Sequence, residues 1–217
     1  MNRQALISAL ADRLLAARDG RAFWRVGVDG VDGAGKTWLA DELAHEVDRR
    51  GVPTVRVMLD GFHNPSAHRH QRGPGSPEGF FRDSYDYDSF RALVLDPLSP
   101  GGSGVYVPAI HDVMEEQPVR ASPLRARPES VVIVDGIFLH RDELVSYWDY
   151  SIWLDVPFEI STPRGAARGY GNADPSHASN RRYVEGQRLY IAECAPAGKA
   201  TVIVDNRDLN DPEFGRL

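Results

Sequence analysis

Eight consecutive residues, Gly30-Val-Asp-Gly-Ala-Gly35-Lys36-Thr37, carry the most specific chemistry in the chain. The pattern Gly-x-x-x-x-Gly-Lys-Thr lets the backbone wrap so that several N–H groups converge on phosphate oxygens. A helix starting near Gly35 adds the positive end of its dipole. In such a loop the lysine reaches the β- and γ-phosphates and the threonine hydroxyl ligates Mg²⁺. The expected ligand is therefore ATP with Mg²⁺, held by Gly30, Asp32, Gly33, Ala34, Gly35, Lys36, Thr37 and Trp38. A glycine-rich turn without a ligand is the plainer alternative, but a valine-rich strand precedes the motif and an amphipathic helix follows it, the context the cradle needs. A dinucleotide loop requires Gly-x-Gly-x-x-Gly directly after the strand; Gly33-x-Gly35 begins that pattern, and Trp38 stands at its last glycine place.

Three acids follow predicted strands: Asp60, Asp135 and Asp205. Ligands of open α/β sheets lie outside the carboxyl ends of the strands, where these acids fall. Asp60 is followed by a long flexible segment, and a carboxylate there suits the acceptance of a proton from an attacking hydroxyl. Asp135 ends the apolar run Val-Val-Ile-Val, the arrangement in which an acid supports Mg²⁺ directly or through water, so Thr37 and Asp135 form the candidate metal pair. For each acid a helix N-cap or a turn is the structural alternative. No Asn-Lys-x-Asp is present to read guanine, which sets a GTPase switch aside.

The elements that must hold these groups are legible from periodicity. Leu6, Leu10 and Leu14 predict a helix over 4–17, and Leu39, Leu43 and Val47 another over 36–50. Strands are expected at 25–29, 54–59, 131–134, 150–156 and 201–204. Further helices are expected at 86–96, 141–147, 158–168 and 180–193, an extended strand or hairpin arm on the substrate side at 106–113, and no regular period over 61–85. Strands alternating with helices predict an α/β, three-layer P-loop NTPase fold with a parallel five-stranded sheet and helices on both faces. The 217 residues suit one domain, 1–217, with a lid near 164–182 and an acceptor-side insertion near 61–113.

The cradle, Asp60, the run Val-Val-Ile-Val-Asp135-Gly-Ile-Phe-Leu and the later arginine-bearing segment together resemble the uridine kinase family, over roughly residues 22–209. Tyr106-x-x-x-x-His111 and Asp205-Asn206-x-Asp208 are the more specific elements of that resemblance, and Asn206 joins the candidate nucleotide contacts with them. The resemblance implies that Asp60 is the base for a nucleoside 5′-hydroxyl and that Tyr85-Asp86 is an aromatic–acid pair binding ribose. It further implies that Tyr106 and His111 contact a pyrimidine. Arg164 and Arg168 would be lid arginines serving the triphosphate, and their spacing puts both guanidiniums on one helix face. Lys36, Asp60, Arg164 and Arg168 are thus the candidate catalytic set. His63 stands where the family has tyrosine, in Asp60-Gly-Phe-His rather than Asp-Ser-Phe-Tyr, and is carried as a substrate contact; Asp135 replaces the family's glutamate.

The loop 63–82 holds His63, His68, His70, Arg69, Arg72 and Arg82, a local basic patch open to an acidic acceptor or, less simply, to zinc. Arg181, Arg182 and Arg188 read as a solvated helix face. Formal charge of −6 argues against sequence-independent nucleic-acid binding. No apolar run approaches the roughly 20 residues of a membrane helix, and no signal sequence is expected. With one cysteine, Cys194, the chain reads as cytoplasmic. A small, nucleoside-like acceptor is the expected partner, and a homo-oligomer is left open. The rivals are a kinase for a sugar, a pantothenate-like acid or a ribosyl cofactor precursor, and a nucleotide-binding regulatory ATPase.

Overall fold

Eight successive residues from Phe23 to Gly30 (β1) are buried, which happens to a strand only when both sheet faces are covered. The computed structural model describes residues 1–215. Around β1 lie Thr54–Met58 (β2), Ser130–Asp135 (β3), Tyr150–Asp155 (β4), Val202–Asp205 (β5) and Glu213–Phe214 (β6). Their order across the sheet is β6-β5-β4-β1-β3-β2. The first five strands are parallel, as the alternation of elements predicts. The two-residue β6 adds an antiparallel edge, pairing Glu213 with Asp205, and is too short to leave a periodic signal.

Helices Arg3–Ala17 (α1) and Lys36–Arg49 (α2) bury the leucine faces expected of them, Leu6, Leu10 and Leu14 against Leu39, Leu43 and Val47. On the opposite face Trp153 packs on Tyr190 of Arg181–Cys194. That long helix also lies along Pro77–Asp83, where Gly186 is required: a Cβ there would stand 2.7 Å from the Pro77 carbonyl oxygen. Phe80, Phe81, Tyr190 and Tyr85 ring Phe138, which is fully buried although its backbone is left-handed at φ 66°.

Two expectations are corrected and a third is narrowed. Residues 61–85 are not irregular throughout, since Ser66–Arg69 and Pro77–Asp83 (α3) are helical. The helix expected over 86–96 is one α-turn, Tyr87–Phe90, followed by a π-turn, Arg91–Leu95. Of the two forms expected over 106–113, the hairpin arm is the one present, in two short antiparallel pieces: Val105–Tyr106 with Leu124–Arg125, and His111–Asp112 with Gln117–Pro118. Pro108 lies between them and has no N–H for a ladder, while Val107 and Ile110 donate instead to Leu93 and Gly61. The later helices are Phe158–Ala166 (α4) and Arg181–Cys194 (α5). Among the described residues no helix is long and apolar enough to cross a membrane.

Candidate active site

The loop from β1 to α2 has the conformation its glycines predict. Gly33 and Gly35 adopt φ 76° and 96°. A Cβ on Gly33 would be driven into the Ser161 carbonyl, and one on Gly35 would lie 2.8 Å from the Asn206 amide nitrogen. No side chain caps α2 at Gly35, so its first N–H groups face the loop without a partner side chain. Lys36 Nζ folds back onto the Val31 carbonyl at 3.0 Å. Orphan donors, a lysine and a glycine-lined concavity are what a phosphate chain needs.

The register of the sheet brings the acids to the same end. Asp135 stands opposite Val28 on β1 and Met58 on β2, and Asp60 follows Met58 by two residues. Thr37 Oγ1 donates to Asp135 Oδ2 at 2.7 Å, while Asp135 Oδ1 accepts from Arg56 Nη2 at 2.8 Å. The structure thus brings Thr37 and Asp135 together, and a hydroxyl beside a carboxylate is a donor set of the kind a hard cation takes.

On the acceptor side the Tyr85 hydroxyl donates to Asp60 Oδ1 at 2.9 Å. Burial, reinforced by the Asp60 and Asp32 carboxylates, pushes the Tyr85 phenol well above its ordinary value, so it remains a donor. His63 stacks on Tyr85 with ring centroids 4.4 Å apart. Its Nδ1 lies 2.8 Å from the Asp60 carbonyl oxygen, a partner that only a protonated Nδ1 satisfies. Burial lowers the His63 pKa and keeps the ring neutral near pH 7, which leaves Nε2 as an acceptor. Asp32 belongs to the same constellation: surrounding protein raises its carboxyl although its edge meets solvent, Lys36 opposes this, and Asp60 and His63 also act on it.

Other expected residues have definite places. Asp86 caps the turn Tyr87–Phe90, with its two oxygens accepting from Ser89 N at 2.9 Å and Ser89 Oγ at 2.6 Å. Tyr106 and His111 are buried; His111 Nε2 has no hydrogen-bond partner and stands 3.7 Å from Glu116 Oε2. Asn206 is fully buried behind the cradle, where its amide donates to the Ala34 carbonyl at 2.7 Å. Arg164 donates to the Asn206 carbonyl at 3.0 Å, and the Arg168 guanidinium lies 5.7 Å from the centroid of the exposed Trp38 ring. Asp205 is paired with Arg207 at 2.9 Å.

The arginines of the basic loop are matched, mostly by acids from other segments. Arg69 pairs with Glu116, Arg72 with Asp83 at 2.9 Å, and Arg82 with Glu78 and Glu193 at 3.0 and 2.8 Å. His70 Nδ1 meets Ser66 Oγ at 3.0 Å. Among the described residues no three metal-ligating side chains gather into a site. Arg182 corrects the solvated-face reading: it is buried, and its guanidinium donates to the Arg69 carbonyl at 2.9 Å and the Pro74 carbonyl at 3.1 Å.

Sequence reasoning missed four groups. Gln187 of α5 accepts from Asp32 N at 2.6 Å and donates to Asp32 Oδ2 at 3.2 Å. Asp29 and His140, both fully buried, are joined at 2.8 Å, and Tyr190 also donates to Asp29, whose other oxygen accepts from Gly30 N at 2.7 Å. Arg56 and Glu116 complete the set. For the α5 residues the available signal is polar side chains falling on the face that helical spacing makes internal, as Arg182, Gln187 and Tyr190 do beside Val184 and Gly186.

Similarity to known proteins agrees with this geometry. No protein-family model matches the chain. A curated uridine kinase of Leuconostoc citreum (strain KM20) is 26% identical over 142 residues, covering 62% of this chain and 63% of the relative, so the match spans less than two thirds of that protein. A solved structure named as a possible uridine kinase from Bacillus stearothermophilus superimposes with a TM-score of 0.73 at 18% identity, over 91% of this chain and 96% of that one. A candidate fructose transport system kinase from Silicibacter sp. TM1040 gives a TM-score of 0.69 at 24% identity, over 86% and 94% of the two chains. At these identities the structural matches show the fold. In sequence and in fold alike, then, the chain is similar to uridine kinase-like P-loop kinases.

Proposed function

We propose that the chain is an ATP-dependent phosphotransferase that moves the γ-phosphoryl group to a hydroxyl of a small molecule, the 5′-hydroxyl of a pyrimidine nucleoside being the acceptor best supported. The observation that carries the reading is the pairing of a phosphate cradle with an acceptor-side carboxylate. Asp60 Oδ1 is tied down by Tyr85, and the charges of both Lys36 and Asp60 are felt at Asp32. A regulatory ATPase has no use for a carboxylate held in this way.

In the proposed reaction Asp60 orients the attacking hydroxyl and takes its proton, with His63 Nε2 accepting a second hydrogen bond from the acceptor. Lys36 leaves the Val31 carbonyl to meet the transferring phosphoryl group, and Arg164 and Arg168 add charge from the lid. Thr37 and Asp135 would hold Mg²⁺, which when bound neutralises charge on the phosphates. Tyr106, His111 and Asp86 are proposed to face the base and sugar, by resemblance to the uridine kinase family. The pairing of Arg69, Arg72 and Arg82 with acids favours a neutral acceptor over a phosphorylated or acidic one.

ADP release from ATP·Mg²⁺ is to be measured with uridine, cytidine, fructose, pantothenate and no acceptor. Release that depends on uridine or cytidine supports the nucleoside reading. Release dependent on fructose or pantothenate replaces it with another acceptor, and release independent of any acceptor contradicts phosphotransfer.

A further inference from the structure

Arg56 sits on the edge strand β2, outside every motif that defines the cradle, yet its guanidinium reaches the acid at the heart of the metal pair. Nη2 donates to Asp135 Oδ1 at 2.8 Å, Nη1 to the Ile133 carbonyl at 2.8 Å, and Nε to Asp41 Oδ1 at 2.9 Å. The three acceptors lie on β3 and α2, so the planar fork is fixed from two directions. The remaining oxygen of Asp135 accepts from the Thr37 hydroxyl at 2.7 Å.

The consequence is geometric. A carboxylate with one partner swings about its side-chain torsions, whereas different donors on its two oxygens fix its plane. Thr37 has a single hydroxyl hydrogen, and donating it to Asp135 leaves the oxygen lone pairs as the part available to a cation. Among the described residues the Arg56 side chain makes no hydrogen bond to Thr37 or to the cradle glycines, so its influence passes through Asp135.

We propose that Arg56 is a positioning residue for the metal: by holding Asp135 Oδ1 it orients Asp135, and through it the Thr37 oxygen, for Mg²⁺ bound with the nucleotide. The inference rests on the reading of Thr37 and Asp135 as the metal pair. Outer-shell partners of this kind change metal affinity by about 10- to 100-fold when removed. Two opposed effects are separable, because the guanidinium charge itself repels a dication while its fork organises the ligands.

The test is calorimetric. ADP affinity is measured with Mg²⁺ and with EDTA for the wild type, Arg56→Lys and Arg56→Met, together with the melting temperature of each protein. The ratio of the two affinities reports the metal without turnover. A positioning role lowers that ratio by about tenfold or more in both variants, lysine included, because lysine keeps the charge and loses the fork. An unchanged ratio with a lowered melting temperature makes Arg56 merely structural and overturns the proposal. A higher ratio in Arg56→Met, with lysine like the wild type, makes its effect simple repulsion and overturns it equally. If Mg²⁺ does not strengthen ADP binding in the wild type, the metal-pair reading itself fails and takes the inference with it.

Discussion

Gly33 concentrates two separate demands at one residue. Its backbone is left-handed at φ 76°, and the space where a Cβ would go is filled by the Ser161 carbonyl of α4. Strain of this kind costs about 1–3 kcal/mol, and the steric conflict adds to it. Gly33→Ala is therefore expected to abolish ADP binding in calorimetry while a melting curve shows the fold retained at lower temperature. Gln187 acts one residue earlier. It accepts from the Asp32 N–H, so Gln187→Leu removes a part-buried hydrogen bond and should cost about 0.5–1.5 kcal/mol in denaturant unfolding. The Gly-x-x-x-x-Gly-Lys-Thr residues were legible in sequence because their spacing alone specifies a conformation. Gln187, 155 residues from Asp32, was not, because nothing local marks which internal polar side chain meets which loop.

At the scale of elements, α5 ties the site together. Arg182 holds the loop 69–76 by its carbonyls, Gln187 holds Asp32, and Tyr190 holds Asp29 at the root of the cradle. If the loop 69–76 serves the proposed acceptor, Arg182→Met should speed hydrogen exchange of that loop's amides and raise the KM for the acceptor while leaving that for ATP within about twofold. Among the described residues the Arg182 guanidinium donates to the carbonyls of Arg69, Gly73, Pro74 and Ser76 and to none of the cradle. Periodicity revealed α5 as a helix and misread Arg182, because an arginine bound to distant carbonyls has the same local pattern as one in solvent. Around Tyr106 and His111 a hairpin arm was legible as one of two forms, but its pairing was not, because two-residue strands interrupted by Pro108 carry no period. Phe138 tests packing against strain. Its left-handed backbone costs about 1–3 kcal/mol, whereas removing a buried ring costs about 3–5 kcal/mol. Phe138→Gly is accordingly expected to destabilise the protein in urea unfolding despite relieving the backbone.

For the molecule as a whole, alternation of strands and helices foretold the five parallel strands and the edge at which the acids gather. What it could not convey is electrostatic closure. The net charge of −6 conceals a basic loop whose arginines are already matched. Glu46, on the α2 face toward α1, shows the same closure with a global consequence. The hydrogen-bonded Arg49 guanidinium outweighs burial, Arg50 adds to it, and the Glu46 pKa falls from 4.5 to about 2. A carboxyl depressed in the folded state contributes stability that is fully present above 4.5 and is lost as pH falls toward about 2. Glu46→Gln should flatten the stability–pH curve across that interval in urea titrations and leave the neutral limb parallel to the wild type.

The central claim is that this fold uses Asp60 to activate an acceptor hydroxyl beside a bound triphosphate. The most direct measurement pairs ATP binding by calorimetry with transfer of labelled γ-phosphoryl to whichever acceptor drives ADP release, in wild type and Asp60→Asn. The account predicts ATP affinity within about twofold of the wild type and a transfer rate lower by about a hundredfold or more. Transfer at the wild-type rate in Asp60→Asn, with binding intact, would contradict it.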